Sequence, residues 1–170
     1  WGVPQDDGEA VKWFRKAADQ GVGRAQYNLG VMYLGGRGVC QSDADAVTWF
    51  REAADQGDAT AQNNLGGLFR SGRGVPKDDA KAVKWYRKAA DQDFPGAQYN
   101  LGTMYANGLG VPQDHREALK WYRMAADQGF PGAQFDLGLM YGTGQGTPRD
   151  LVQAHKWFNL AASHYPESDA

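Results

Sequence analysis

Ala97-Gln98-Tyr99-Asn100-Leu101-Gly102-Thr103-Met104-Tyr105, followed by Gly108, Gly110, Val111, Pro112 and Asp114 and then by Ala118, Trp121, Ala125 and Ala126, recurs along the chain at a spacing of 36 residues. Trp13, Trp49, Trp85, Trp121 and Trp157 fall in one column. Leu29, Leu65, Leu101 and Leu137 fall in another, followed by Gly30, Gly66, Gly102 and Gly138. No insertion breaks the register. A fixed period of about 20–50 residues is the signature of a solenoid. In such a fold each unit touches only its neighbours, so length measures repeat number. The expected architecture is all-α, with nine helices and no sheet in a single domain over 1–170. It divides into a lone helix in 1–20, repeats at 24–56, 60–92, 96–128 and 132–165, and a tail at 166–170.

Local signals place the helices. Asp6, Ser42, Asp78, Asp114 and Asp150 share a column suited to helix N-caps, and Glu9, Glu117 and Gln153 lie where a capping box needs its third residue. The helices behind these caps, termed B, are expected at 7–19, 43–55, 79–91, 115–127 and 151–163. Those before each Gly-rich loop, termed A, are expected at 24–34, 60–70, 96–106 and 132–142. Ala25, Leu29, Met32 and Tyr33 form the apolar side of the first A helix at helical spacing. Glycine within a helix costs about 1 kcal/mol relative to alanine, so its recurrence at Gly30 and its equivalents predicts a close approach by a neighbouring helix. Gly21, Gly57 and Gly129 fit the reversal after a helix C-terminus. The basic stripe Lys12, Arg15, Lys16, repeated as Lys84, Arg87, Lys88 and as Lys120, Arg123, is read as a solvated outer face.

Composition narrows the function classes. With 18 Lys and Arg against 20 Asp and Glu, the net charge of −2 leaves no global nucleic-acid footprint. No apolar run reaches the roughly 18 residues that span a bilayer. No leader is visible, and Gly2-Val3-Pro4 matches Gly74-Val75-Pro76, so the chain is expected to be a fragment; cytoplasm and periplasm both remain open. Cys40, the sole cysteine, is read as a turn residue. No cofactor or metal is expected: His115, His155 and His164 are not spaced as a metal motif, and His155 is expected to pack between helices. The Asp-Gln pairs at 19–20, 55–56, 91–92 and 127–128 recur as structural features would. The Gly-x-Gly loops lack the Lys-Ser/Thr of a phosphate cradle.

The pattern Ala-x-x-x-Leu-Gly-x-x-Tyr, then Gly-x-Gly-Val-Pro-x-Asp, then Ala-x-x-Trp-x-x-x-Ala-Ala resembles the Sel-1-like repeat family, relatives of tetratricopeptide repeats with a longer inter-helix loop. The resemblance implies a right-handed α/α superhelix and a scaffolding or adaptor role, non-enzymatic, toward a protein or peptide. Cysteine-rich relatives are associated with penicillin binding and weak β-lactamase activity; they staple each helix pair with a disulfide, for which this chain lacks the cysteines. A structural, self-assembling spacer is a further alternative.

The partner surface is expected on the A-helix face opposite the core stripe, the concave side in solenoids of this class. Its columns vary between repeats while the packing columns do not: Tyr27, Val31, Leu34; then Asn63, Gly67, Arg70; then Tyr99, Thr103, Ala106; then Phe135, Leu139, Gly142. Exposed tyrosines suit protein recognition, since they give contact area at low entropic cost. Asn28, Asn64, Asn100 and Asp136 flank that face. This ladder resembles the asparagines that hold a peptide backbone in tetratricopeptide grooves; bonding between neighbouring repeats is the alternative. In the last B helix Leu160 replaces a charged outer residue and Met124 precedes it one repeat earlier, which predicts a cover, either further chain after Ala170, the favoured expectation, or a second copy, and weak end-to-end self-association through the C-terminal repeat.

Overall fold

Capping chemistry starts every helix that follows a Gly-rich loop. In the computed structural model, which describes residues 6–163, Asp6, Ser42, Asp114 and Asp150 stand in extended backbone and accept N–H bonds from two or three residues on. Asp78 accepts from the Lys81 N–H at 2.8 Å. These caps open α1 (Asp7–Ala18), α3 (Asp43–Asp55), α5 (Asp79–Ala90), α7 (His115–Asp127) and α9 (Leu151–Ala162). Between them run α2 (Gly23–Gly35), α4 (Ala59–Ser71), α6 (Pro95–Asn107) and α8 (Pro131–Thr143). Each of these four ends at a left-handed glycine, Gly36, Gly72, Gly108 or Gly144, whose N–H returns to the last turn. Among the described residues there are nine helices and no strand. The sequence places every boundary to within one residue.

The helical glycines are there for backbone contact. A Cβ at Gly30 would lie 2.8 Å from the Phe50 ring, at Gly102 2.7 Å from Tyr122, and at Gly138 2.9 Å from Phe158. An A helix thus presents bare backbone to an aromatic ring of the B helix that follows it. Leu29, Leu101 and Leu137 beside those glycines are fully buried. The second loop glycine makes the other close approach. At Gly38, Gly74 and Gly146 a Cβ would fall within 2.4 Å of the Asp7, Asp43 and His115 carbonyl oxygens, so each loop sits on the first turn of the preceding B helix.

The chain comprises two compact units, residues 1–85 and 86–170, divided within α5. In the first, Val11, Ala18, Ala25, Leu29 and Met32 form a buried cluster. In the second the cluster includes Ala118, Tyr122, Ala125, Leu137, Met140 and Trp157.

Three features depart from expectation or were missed. The arginines of the basic stripe are not simply solvated. Arg15 is half-buried, donates to the Tyr33 hydroxyl and lies over the Trp49 ring at 5.5 Å. Arg87 repeats this with Tyr105 and Trp121, and Arg123 with Tyr141 and Trp157. A planar guanidinium can stack and donate at once, which a lysine cannot; Lys12, Lys16, Lys84, Lys88 and Lys120 stay exposed. Second, Gln26, Gln62, Gln98 and Gln134 are buried. Gln26 donates to the Ala18 carbonyl at 3.3 Å and accepts from Gln56 at 2.6 Å; Gln98 accepts from Gln128 at 2.8 Å. The glutamines of the Asp-Gln pairs at 55–56 and 127–128 thus tie the end of a B helix to the A helix of the same repeat. Third, His155 does not pack between helices: it is exposed and bonds to Asn159 one turn on at 3.1 Å. An imidazole gains more from water than the valines of its column, which are buried. Cys40 is exposed and unbridged, and Leu160 is 39% exposed. The expectations for His164, for residues 1–5 and for the tail 166–170 lie outside the described residues.

Candidate functional site

In the second unit, Pro131 at the first turn of α8 fixes the chain direction and sets the capping residue Phe130 against Tyr99 of α6, ring centroids 5.0 Å apart. Tyr99 also meets Tyr122 of α7 at 5.7 Å, and Tyr122 is the ring lodged over Gly102. The Tyr122 hydroxyl donates to Thr103 Oγ1 at 3.2 Å, and Thr103 donates to the Tyr99 carbonyl at 3.1 Å. One turn of α6 is therefore locked from two sides. On α8, Phe135 packs on Phe158 of α9 at 5.5 Å.

A groove of about 610 Å³ opens among these groups, with Tyr99, Phe135 and Phe158 as its rings. Pro131, Gly132, Ala161 and Ala162 leave the space between them, and Asp136 is its one ionisable carboxylate. Phe135 is 55% exposed and Leu139, one turn further, 46%. Burial pushes the Asp136 carboxyl above its ordinary range, and a hydrogen bond from the Tyr99 hydroxyl opposes that rise. The Tyr122 hydroxyl is pushed up to about 12, chiefly by burial, with the Asp136 and Tyr99 charges adding and the Thr103 bond opposing.

The sequence-chosen surface residues thus meet unequal fates. Tyr99, Phe135 and Asp136 come together in the groove, with Thr103 behind them and Leu139 beside them. In the first unit Asn28 and Val31 line a smaller pocket of about 250 Å³ with Asp7, Phe14 and Arg37. Tyr27 is half-buried against Phe50 and under Arg24, and Tyr99 is half-buried too; the aromatic residue this face leaves open is Phe135, not a tyrosine. Leu34, Asn63, Asn64 and Asn100 are half-buried on their helices, and Arg70 is exposed. Sequence reasoning passed over Phe158, Ala161 and Ala162, which belong to packing columns. Their signal was present: Phe158 shares the column of Phe50 and Tyr122. Among the described residues no cluster of His, Cys, Asp and Glu is arranged to hold a metal ion, and no helix is long and apolar enough to cross a membrane.

The family model for the Sel1 repeat matches residues 1–22, 23–58, 59–94, 95–130 and 131–165. Among solved structures, the chain is similar to a protective antigen of uropathogenic Escherichia coli displaying an SLR fold, at 41% identity and a TM-score of 0.93 over 95% of this chain and 35% of that one. It thus spans about a third of that relative's length. A Sel1 repeat protein from Oxalobacter formigenes is 36% identical with a TM-score of 0.91, covering 95% of this chain and 67% of that one. Helicobacter pylori cysteine rich protein B shares the fold at 22% identity and a TM-score of 0.57, over 72% and 87% of the two chains. Comparison with curated proteins by sequence gives no significant match. With five matched repeats and these neighbours, the chain belongs to the Sel1 repeat family, a family of helical-repeat solenoids that commonly serve as protein–protein interaction scaffolds.

Proposed function

We propose that this chain is a non-enzymatic adaptor that binds a peptide or protein segment on the faces of its A helices, with the groove of the second unit as the principal seat. The observation that carries this reading is the groove itself: about 610 Å³ with three aromatic rings, of which Phe135 is exposed, whereas Phe50, Tyr86, Trp121, Tyr122 and Trp157 are buried in repeat packing. Ligand sites are concave and mostly apolar, with a few placed polar groups, and aromatic anchors dominate interface energetics. In the first unit the faces of α2 and α4, with Tyr27, Asn28, Asn63, Asn64 and Arg70, are a separate candidate surface. The test is cross-linking capture from a native lysate with quantitative mass spectrometry, comparing wild type, Phe135→Asp and the outer-surface control Lys84→Ala. The expected result is a discrete protein set retained by Lys84→Ala and lost by Phe135→Asp. An unchanged set, or nitrocefin turnover that tracks the folded protein through purification, would overturn the reading.

A further inference from the structure

The groove's charge arrangement narrows the chemistry of what it takes. Helices α6 and α8 carry one charged side chain between them, Asp136. It occupies the column where Asn28, Asn64 and Asn100 stand in the other repeats, so this position carries a full charge only where its surroundings are most apolar. A carboxylate facing an apolar space is costly unless a donor or cation meets it. Its partner in the fold is the neutral Tyr99 hydroxyl. Of the basic groups on the flanking helices, Lys120 lies with Glu117 at 3.8 Å, Arg123 with Tyr141 and Trp157, and Lys156 over Trp157 at 4.9 Å, while Arg116 at the start of α7 lies beside the Gly144–Pro148 loop and not in the groove.

Resting on the adaptor reading above, we propose that the groove takes a protein segment bearing a lysine or arginine beside a bulky apolar side chain. The apolar group lies against Phe135, Phe158 and Tyr99, and the cation reaches the Asp136 carboxylate. Charge complementarity carries the assignment: an acidic segment or a phosphate would set like charge against a carboxylate with no cation at hand, and a wholly apolar segment would leave it buried without a counter-charge. The rings add attraction for a cation near their faces. A chain segment fits better than a free amine because the Phe135–Leu139 stripe continues the apolar surface for a full turn beyond the groove.

The test selects a random peptide-display library on immobilised wild-type protein and measures the enriched peptides by fluorescence anisotropy. Enriched peptides should carry Lys or Arg within two or three positions of Leu, Ile, Phe or Met. Asp136→Asn should weaken them about tenfold, as should replacing the peptide's basic residue by norleucine or citrulline. The two changes together should be no worse than either alone. Circular dichroism melting establishes that the variant is folded; asparagine is the residue of this column elsewhere. Peptides lacking a basic residue, or binding Asp136→Asn as tightly as wild type, overturn the charge assignment, and if Phe135→Asp still abolishes their binding the adaptor reading survives. If no peptide distinguishes wild type from Phe135→Asp, both fall.

Discussion

The pocket of the first unit and the groove of the second are assembled from shared columns of one repeat, Asn28 with Asp136 and Phe14 with Phe158, yet they differ in how charge is settled. In the first, Arg37 reaches back from its loop to Asp7 at 3.2 Å, and the pocket between them is small. Arg73 pairs with Asp43 in the same way at 2.7 Å. In the second unit the loop positions equivalent to Arg37 and Arg73 are Leu109 and Gln145; no such pair forms among the described residues, and the groove's own carboxylate faces neutral groups. Where a repeat satisfies its charges internally, the surface braces the solenoid. Where it leaves one unanswered among apolar rings, the surface is built for something else to answer it.

A common scaffold beneath the two surfaces requires equal sensitivity of both units at the helical glycines, and this is the largest expected effect. Gly30→Leu in the first unit and Gly102→Leu in the second each drive a side chain into a buried ring, Phe50 or Tyr122. Each should destabilise by about 3 kcal/mol, read as a shift of the denaturant midpoint. A variant that melts like wild type in one unit and not the other would mean the scaffold is not shared.

A smaller effect sharpens the electrostatic contrast. The folded-state pKa of Asp136 is raised by burial. Its cost is therefore absent below the ordinary carboxylate range and develops as pH rises through the folded value. Asp136→Asn should stabilise by up to about 0.5 kcal/mol near neutrality, a figure already reduced for the half-exposure of the group, and by almost nothing near pH 3, below the usual aspartate pKa of about 3.9. Melting temperatures across that range decide it; a gain that is larger in acid contradicts the assignment. The smallest effect belongs to Arg37→Gln, which gives the first unit the loop residue of the last repeat. An exposed ion pair of this kind contributes a few tenths of a kcal/mol, about 0.5 at most, and the difference should fade in high salt. A loss that persists in high salt would assign Arg37 a packing role instead.

The fold was legible because its determinants are local and repeated. Caps at Asp6, Ser42, Asp78, Asp114 and Asp150 and left-handed glycines after each A helix mark boundaries that no distant contact needs to adjust. The site was legible only in outline. Column variation pointed to Tyr99, Phe135 and Asp136, but it overstated the openness of Tyr27 and Tyr99, because whether a ring on that face is covered depends on a residue outside its own helix, Phe50 for Tyr27 and Phe130 for Tyr99. The arginine stripe was misread for a related reason. Helical periodicity describes one helix in isolation, and the Trp49 ring that covers Arg15 arrives 34 residues later. Phe158 was hidden by its own regularity, since a residue that packs in one repeat can line a groove in another.

The reach of the polar links has a consequence for how the chain acquires its structure. Arg15 finds Tyr33 at a separation of 18 residues, and Arg37 finds Asp7, and Gln56 finds Gln26, at 30. Bonds that close over so little chain give a low contact order, which favours rapid folding, and they can be made on the ribosome as soon as one further repeat has emerged. Synthesis at about 5–20 residues per second supplies a repeat every few seconds, so folding of each unit can keep pace with translation and need not wait for its end.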